Sequence, residues 1–239
     1  MRIFGINPVL EALRAGRVTE IHLGADRTRG TTELRSLAVR RDVSVHRVSA
    51  GELDRLSGHG VHQGVVATVR RPVDHTVADL VRGESASLLV VLDGIQDPRN
   101  LGAIARTVDA AGATGIVLQT RRAAAATGAA VKASAGALTH VRLAPVVNIG
   151  RALVEIAAAG VWTVGLDSDE DRSLYDLDLT VPLALVVGSE GRGLRRLVRD
   201  RCDWLASLPM QGRVSSLNVS VAAGVALFEV VRQRATGRR

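Results

Sequence analysis

The sequence predicts an α/β protein, in which a larger parallel sheet, covered by helices on both faces, follows a smaller α/β unit. Three observations carry this. The apolar runs Leu88-Leu89-Val90-Val91-Leu92 and Leu183 to Val187 are short, continuous and uncharged, as strands buried on both faces of a parallel sheet require. Helical patterns lie between the strand-like runs, and strand–helix alternation places a site at the carboxyl ends of the strands. Residues 1–70 show a similar alternation on a smaller scale.

In the first unit, Asn7-Pro8 reads as a helix start, with Asn7 as cap and Pro8 at the first helical position. Val9, Leu10 and Leu13 give that helix an apolar face, and Gly16 stops it. Val18 to Leu23 reads as a strand, Thr32 to Arg41 as a helix and Val43 to Val48 as a strand. Ser49 and Glu52 have capping-box spacing for a short helix, and Val65 to Val69 closes the unit. Residues 71–86, poor in apolar runs and containing Pro72 and Gly83, read as a linker. From 87 to 239, further strands are expected at Gly115 to Leu118, Val161 to Gly165 and Trp204 to Leu208. Helices are expected at Leu101 to Ala111, Ile149 to Ala159 and Leu217 to Arg234. The last is almost uniformly apolar, which implies burial in a core or against another subunit.

Composition narrows the function. Aromatics are 2% of 239 residues, which argues against reading single strands by base stacking. The net charge is +7, and Lys132 is the single lysine among 31 basic residues. A GC-rich genome explains arginine in place of lysine but not the net charge, which points to nucleic acid or another polyanion. One cysteine, Cys202, excludes an intramolecular disulfide and a thiolate zinc cluster, and reads as a partly buried thiol. No apolar run approaches the roughly 18 residues of a membrane span, so no membrane partner and a cytoplasmic location are expected.

Three segments follow predicted strands and mix glycine with specific polar groups. In Asp93 to Thr107, Asn100 reads as a helix cap, and Arg106 could reach back toward the helix start or be a surface charge. In Gly188-Ser189-Glu190-Gly191-Arg192-Gly193, Glu190 could bind a hydroxyl or cap the helix that follows. In Leu208 to Ser220, Ser216 and Asn218 open the apolar helix, where buried polar groups need partners. A P-loop, a strand-linked GxGxxG and a GxSxG elbow are all absent, and His59 with His62 reads as a loop pair, so no metal is expected.

Together, NLGAIART, GSEGRGL and LPMQGRVSSLNVSVAAG resemble, in order and spacing, the three signature motifs of the SpoU class (TrmH-like) of RNA ribose 2′-O-methyltransferases. Gly5-Ile6-Asn7-Pro8-Val9 and Val61-His62-Gln63-Gly64-Val65 extend the likeness to the small substrate-binding domain of the branch that modifies guanosine in 23S ribosomal RNA. The resemblance implies an L30e-like RNA-binding domain at 1–70 and a trefoil-knotted, parallel-sheet methyltransferase domain at 87–239. It implies a homodimer acting on RNA rather than DNA, with S-adenosylmethionine as cofactor. By motif position, Gly188, Leu208, Met210, Ser216 and Leu217 would hold that cofactor, and Asn100, Arg106, Glu190, Ser216 and Asn218 would form the catalytic set. Arg106 would cross the dimer interface. The resemblance offers Arg106 as the general base; because a guanidinium does not give up its proton in a protein, the more economical expectation is that Arg106 stays charged and stabilises the developing 2′-oxyanion and the adjacent phosphate. Glu190 would orient Asn100 or Arg106, while Ser216 and Asn218 hold cofactor and ribose. Arg14, Arg17, Arg27 and Arg29 are the candidate phosphate contacts of the first unit. A tRNA or antibiotic-resistance rRNA methyltransferase of the same class, or a non-catalytic RNA-binding protein, are the alternatives.

Overall fold

The computed structural model describes residues 1–25, 29–70, 74–82, 87–120 and 128–237, and folds them around two sheets. The first unit runs β1 (Arg2–Phe4), α1 (Ile6–Arg14), β2 (Val18–Leu23), α2 (Arg29–Arg40), β3 (Ser44–Arg47), α3 (Ala50–Ser57) and β4 (Val65–Val69). Its sheet has the order β1-β4-β2-β3, with β4 antiparallel to both neighbours. Ile3, Ile21, Val65 and Ala67 face α1 and α2 through Val9, Leu13 and Leu34, while Val66 on the other face meets Leu53 and Leu56 of α3.

Two local expectations change here. Helix α1 starts at Ile6, so Asn7 lies inside its first turn and caps nothing; Gly5 takes the cap position, and the Ile6 N–H donates to Gln63 Oε1 at 3.0 Å. Pro8 remains in the first turn, where an N–H would have no helical acceptor. The capping box of α3 is half formed. Ser49 accepts from the Glu52 N–H, but the Glu52 carboxylate turns to Arg55, which holds it below its usual range.

The expected linker is not wholly irregular. Its stretches 71–73 and 83–86 lie outside the described residues, but between them α4 (Val77–Val81) forms behind a complete Thr76–Asp79 capping box. The second unit continues through β5 (Leu88–Asp93), α5 (Pro98–Ala110), β6 (Gly115–Gln119), α6 (Gly128–Ala133) and β7 (Leu143–Val146). Then come α7 (Ile149–Ala158), β8 (Trp162–Leu166), β9 (Leu183–Gly188), α8 (Arg196–Arg199), β10 (Trp204–Ala206) and α9 (Val219–Thr236). All six strands are parallel, in the order β10-β8-β9-β5-β6-β7. Val90, Leu92, Leu185 and Val187 meet α5 and α9 on one face; Leu89, Val91 and Val186 meet α4, α7 and α8 on the other. Each fully buried side chain of this kind contributes about 1.5–3 kcal/mol.

The order in which the chain adds strands switches sides between β5 and β9, and the carboxyl ends of those two parallel strands form the crevice in which ligands of open parallel sheets bind. Helix α9 is not buried all round. Val219, Ala223, Ala226, Leu227 and Val230 are core, but Val221, Val225 and Phe228 are 49%, 37% and 50% exposed. No helix among the described residues is long and apolar enough to cross a membrane.

Candidate active site at the carboxyl ends of β5 and β9

Three chain segments converge at the crevice. After β5, Asp97 rather than Asn100 caps α5: its carboxylate accepts from the Arg99 N–H at 2.8 Å, and Pro98 takes the first helical position. The Arg99 side chain and N–H hold the Asp97 carboxyl below its usual range. Asn100 therefore sits on the first turn, 8% exposed, and its Nδ2 donates to Glu190 Oε1 at 2.8 Å.

The second segment is a tight turn after β9. A Cβ on Gly188 would lie 2.1 Å from the carbonyl carbon of Gly193, so only glycine lets the chain fold back here. Ser189 and Gly193 exchange backbone hydrogen bonds of 3.0 and 2.9 Å, with Glu190 between them. The returning leg is anchored at Arg195, whose N–H and Nε donate to the buried Asp93 carboxylate at 2.9 and 2.7 Å. Glu190 does not cap α8, whose cap position, Arg195, has no side-chain cap.

The third segment precedes α9. Asn218 caps that helix, its Oδ1 accepting from the Ser220 N–H at 2.9 Å. Its Nδ2 donates to Glu190 Oε1 at 2.7 Å and to Asn100 Oδ1 at 3.3 Å. One carboxylate thus gathers two amides that lie 90 and 28 residues from it in the chain.

A cavity of about 840 Å³ opens beside this cluster. Gly188, Leu208, Met210, Ser216 and Leu217 all line it, as do Glu190 and Asn218. Asp167 and Arg199 also line it, ion-paired at 3.0 Å, and Arg199 pairs with Glu170 as well. Sequence reasoning missed Asp93, Arg195, Asp167 and Glu170: charges in a basic, loop-rich stretch have no spacing that announces their partners.

Arg106 stands apart from the cluster within one chain. Six residues along a helix place it about 9 Å from Asn100 and roughly 120° around the axis, so it cannot reach back to the helix start. It is exposed and lines a separate cleft of about 420 Å³ against the first unit, with Glu11, Arg14, Glu33 and His140. There Arg14 bonds Glu33 at 2.7 Å and also Glu11, so its charge is already matched. Arg17 is half-buried, and burial pulls its guanidinium down from the usual value. Arg27 and the side chain of Arg29 lie outside the described residues. His62 is structural, its ring joining Asp54 at 3.2 Å and accepting from the Gly64 N–H at 3.0 Å.

A family model described as the SpoU rRNA Methylase family matches residues 87–228, and one described as RNA 2′-O ribose methyltransferase substrate binding matches residues 2–73. The chain belongs to the SpoU rRNA methylase family. It is an RNA methyltransferase. An uncharacterized tRNA/rRNA methyltransferase of Mycolicibacterium smegmatis is 46% identical over 239 residues, spanning 97% of this chain and 76% of that one. Among solved structures, the SpoU methyltransferase AviRb of Streptomyces viridochromogenes, in complex with AdoMet, is 30% identical with a TM-score of 0.85, covering 99% of this chain and 91% of that one. An AdoMet-bound rRNA methyltransferase of Sinorhizobium meliloti is 27% identical with a TM-score of 0.81, covering 97% and 86%.

Proposed function

We propose that this SpoU chain transfers a methyl group from S-adenosylmethionine to a ribose 2′-OH, with a guanosine of 23S ribosomal RNA as target, and that it acts as a homodimer. The observation that carries the reading is the convergence of Asn100 and Asn218 on Glu190 beside a cavity lined by Gly188, Leu208, Met210, Ser216 and Leu217. The cavity suits the cofactor. Leu208, Met210 and Leu217 offer apolar walls to a flat ring, the glycine backbone at 188 admits close approach, and Glu190 offers one negative charge to a cation.

When bound, S-adenosylmethionine supplies an activated methyl group on a sulfonium, so the protein has to position and stabilise rather than create an electrophile. Both amides use Glu190 Oε1, so Oε2 can accept from a hydroxyl. Asn218 fixes its own amide by capping α9 with the oxygen, which leaves the nitrogen to hold Glu190. Arg106 keeps its charge and faces the developing 2′-oxyanion and the neighbouring phosphate of the partner's site, while the hydroxyl proton leaves to phosphate or water. A trefoil path through the 189–195 and 207–218 segments is part of this proposal, as are the division of the chain at 1–70 and 87–239 and a cytoplasmic location.

The test is a map of 2′-O-methylation on ribosomal and transfer RNA from cells lacking the gene. Loss of one guanosine methyl in 23S RNA, restored by the wild-type chain and not by Asn218→Ala, is expected. A change confined to transfer RNA redirects the target, and an unchanged map overturns the reading.

A further inference from the structure

We propose that Asp93 is a positioning residue for this site: by clamping Arg195 it sets the turn that carries Glu190, and so the grip on the methyl donor. This rests on the function proposed above. Asp93 ends β5 directly beside Gly188 in the parallel register, and its side chain is 0% exposed. Its carboxylate receives the Arg195 N–H at 2.9 Å on one oxygen and the Arg195 Nε at 2.7 Å on the other, and also ion-pairs with Nη2. The same Nη2 continues to Gln119 Oε1, at the end of β6, at 3.1 Å. Main chain and side chain of one residue are thus both fixed by one buried carboxylate.

The mechanical consequence follows from the turn. Glu190 is exposed, so packing does not hold it. The Asn100 and Asn218 amides hold its side chain, while the backbone of the turn is tied by the Ser189–Gly193 pair at its base and by buried Leu194 and the Asp93 clamp on its returning leg. Arg195 is 54% exposed in its side chain and would take up other conformations in water without the clamp. A role in stability alone does not account for the carboxylate, because a buried ion pair is often no better for stability than apolar groups of the same volume. Such a pair does fix geometry, and the geometry fixed here is that of the Glu190 turn.

A double-mutant cycle on the full chain tests this, with S-adenosylmethionine affinity read by calorimetry and folding checked by thermal melting. Asp93→Asn is expected to weaken binding by about 10-fold or more in the wild-type background, but by less than about 3-fold in Glu190→Gln, because contacts joined through one turn do not add. If Asp93→Asn does not fold, Arg195→Gln takes its place in the same cycle, since its side chain is half exposed. Equal penalties in both backgrounds, or a lowered melting temperature with unchanged affinity, overturn the proposal alone. A wild-type chain that binds no S-adenosylmethionine overturns the reading of the function and this proposal with it.

Discussion

Glu190 is held by two neutral amides rather than by a guanidinium, and that choice keeps its negative charge unspent beside the cavity. Arg199, which lines the same cavity, shows the contrast, ion-paired with Asp167 and Glu170. The motifs single out Asn100, Glu190 and Asn218, but not which of them touch: Asn100 reads as a helix cap in sequence, whereas Asp97-Pro98 is the stronger start and takes the cap. Cys202 illustrates a reading that needs depth as well as identity. Burial, with Asp203 and Asp93 nearby, pushes its thiol up to about 12. Thiolate is the reactive form, so alkylation of the folded chain at pH 8 should run at least about 100-fold slower than for a free thiol, and reach completion on denaturation. Native labelling at the free-thiol rate would contradict that burial.

At the scale of elements, legibility followed length and patterning. The bounds of β2 and β4 match the sequence reading because alternating or continuous apolar runs end at turn residues. Strand β1 is three residues long, and β7 contains Pro145 at the sheet edge, so neither offers a period to detect. Helix α9 deceived for another reason: a uniformly apolar composition does not say which side lacks a partner. Its final turns are tied down by polar groups. Gln233 accepts from the Leu179 N–H at 2.9 Å, and Glu229, 8% exposed, receives Arg232 Nε at 2.8 Å and Gln233 Nε2 at 2.9 Å. The Arg232 bond, foremost, holds the Glu229 carboxyl below its ordinary 4.5. A carboxyl lowered on folding stabilises fully above its unfolded value, and that contribution fades as pH falls through the folded value. Glu229→Gln should therefore lose about 1 kcal/mol at pH 7, a fall of roughly 2–4 °C in melting temperature for a chain of this length. The gap should close toward pH 3. A difference that persisted there would assign Glu229 to packing rather than charge.

For the whole molecule, the role proposed for Arg106 and the exposed face of α9 can be tested together. Within one chain Arg106 faces a cleft against the first unit, away from Glu190, and Val221, Val225 and Phe228 form an exposed stripe at i, i+4 and i+7 along α9, which packs on the helix that carries Arg106. Apolar stripes of this kind mark contact surfaces, so the homodimer proposed above has a candidate interface beside the helix that carries Arg106. Periodicity cannot reveal such a role, because a residue that completes another chain's site leaves no local signature. Mixing two inactive variants, Arg106→Gln and Asn218→Ala, decides it. If Arg106 acts across the interface, each mixed dimer contains one site with both residues intact, and random pairing of equal amounts should restore roughly a quarter of wild-type methylation. Val225→Glu, placed on the stripe, should abolish that restoration while leaving the chain folded by thermal melting. If Arg106 instead serves the site of its own chain, every site in the mixture keeps one defect, and methylation stays at the level of the separate variants.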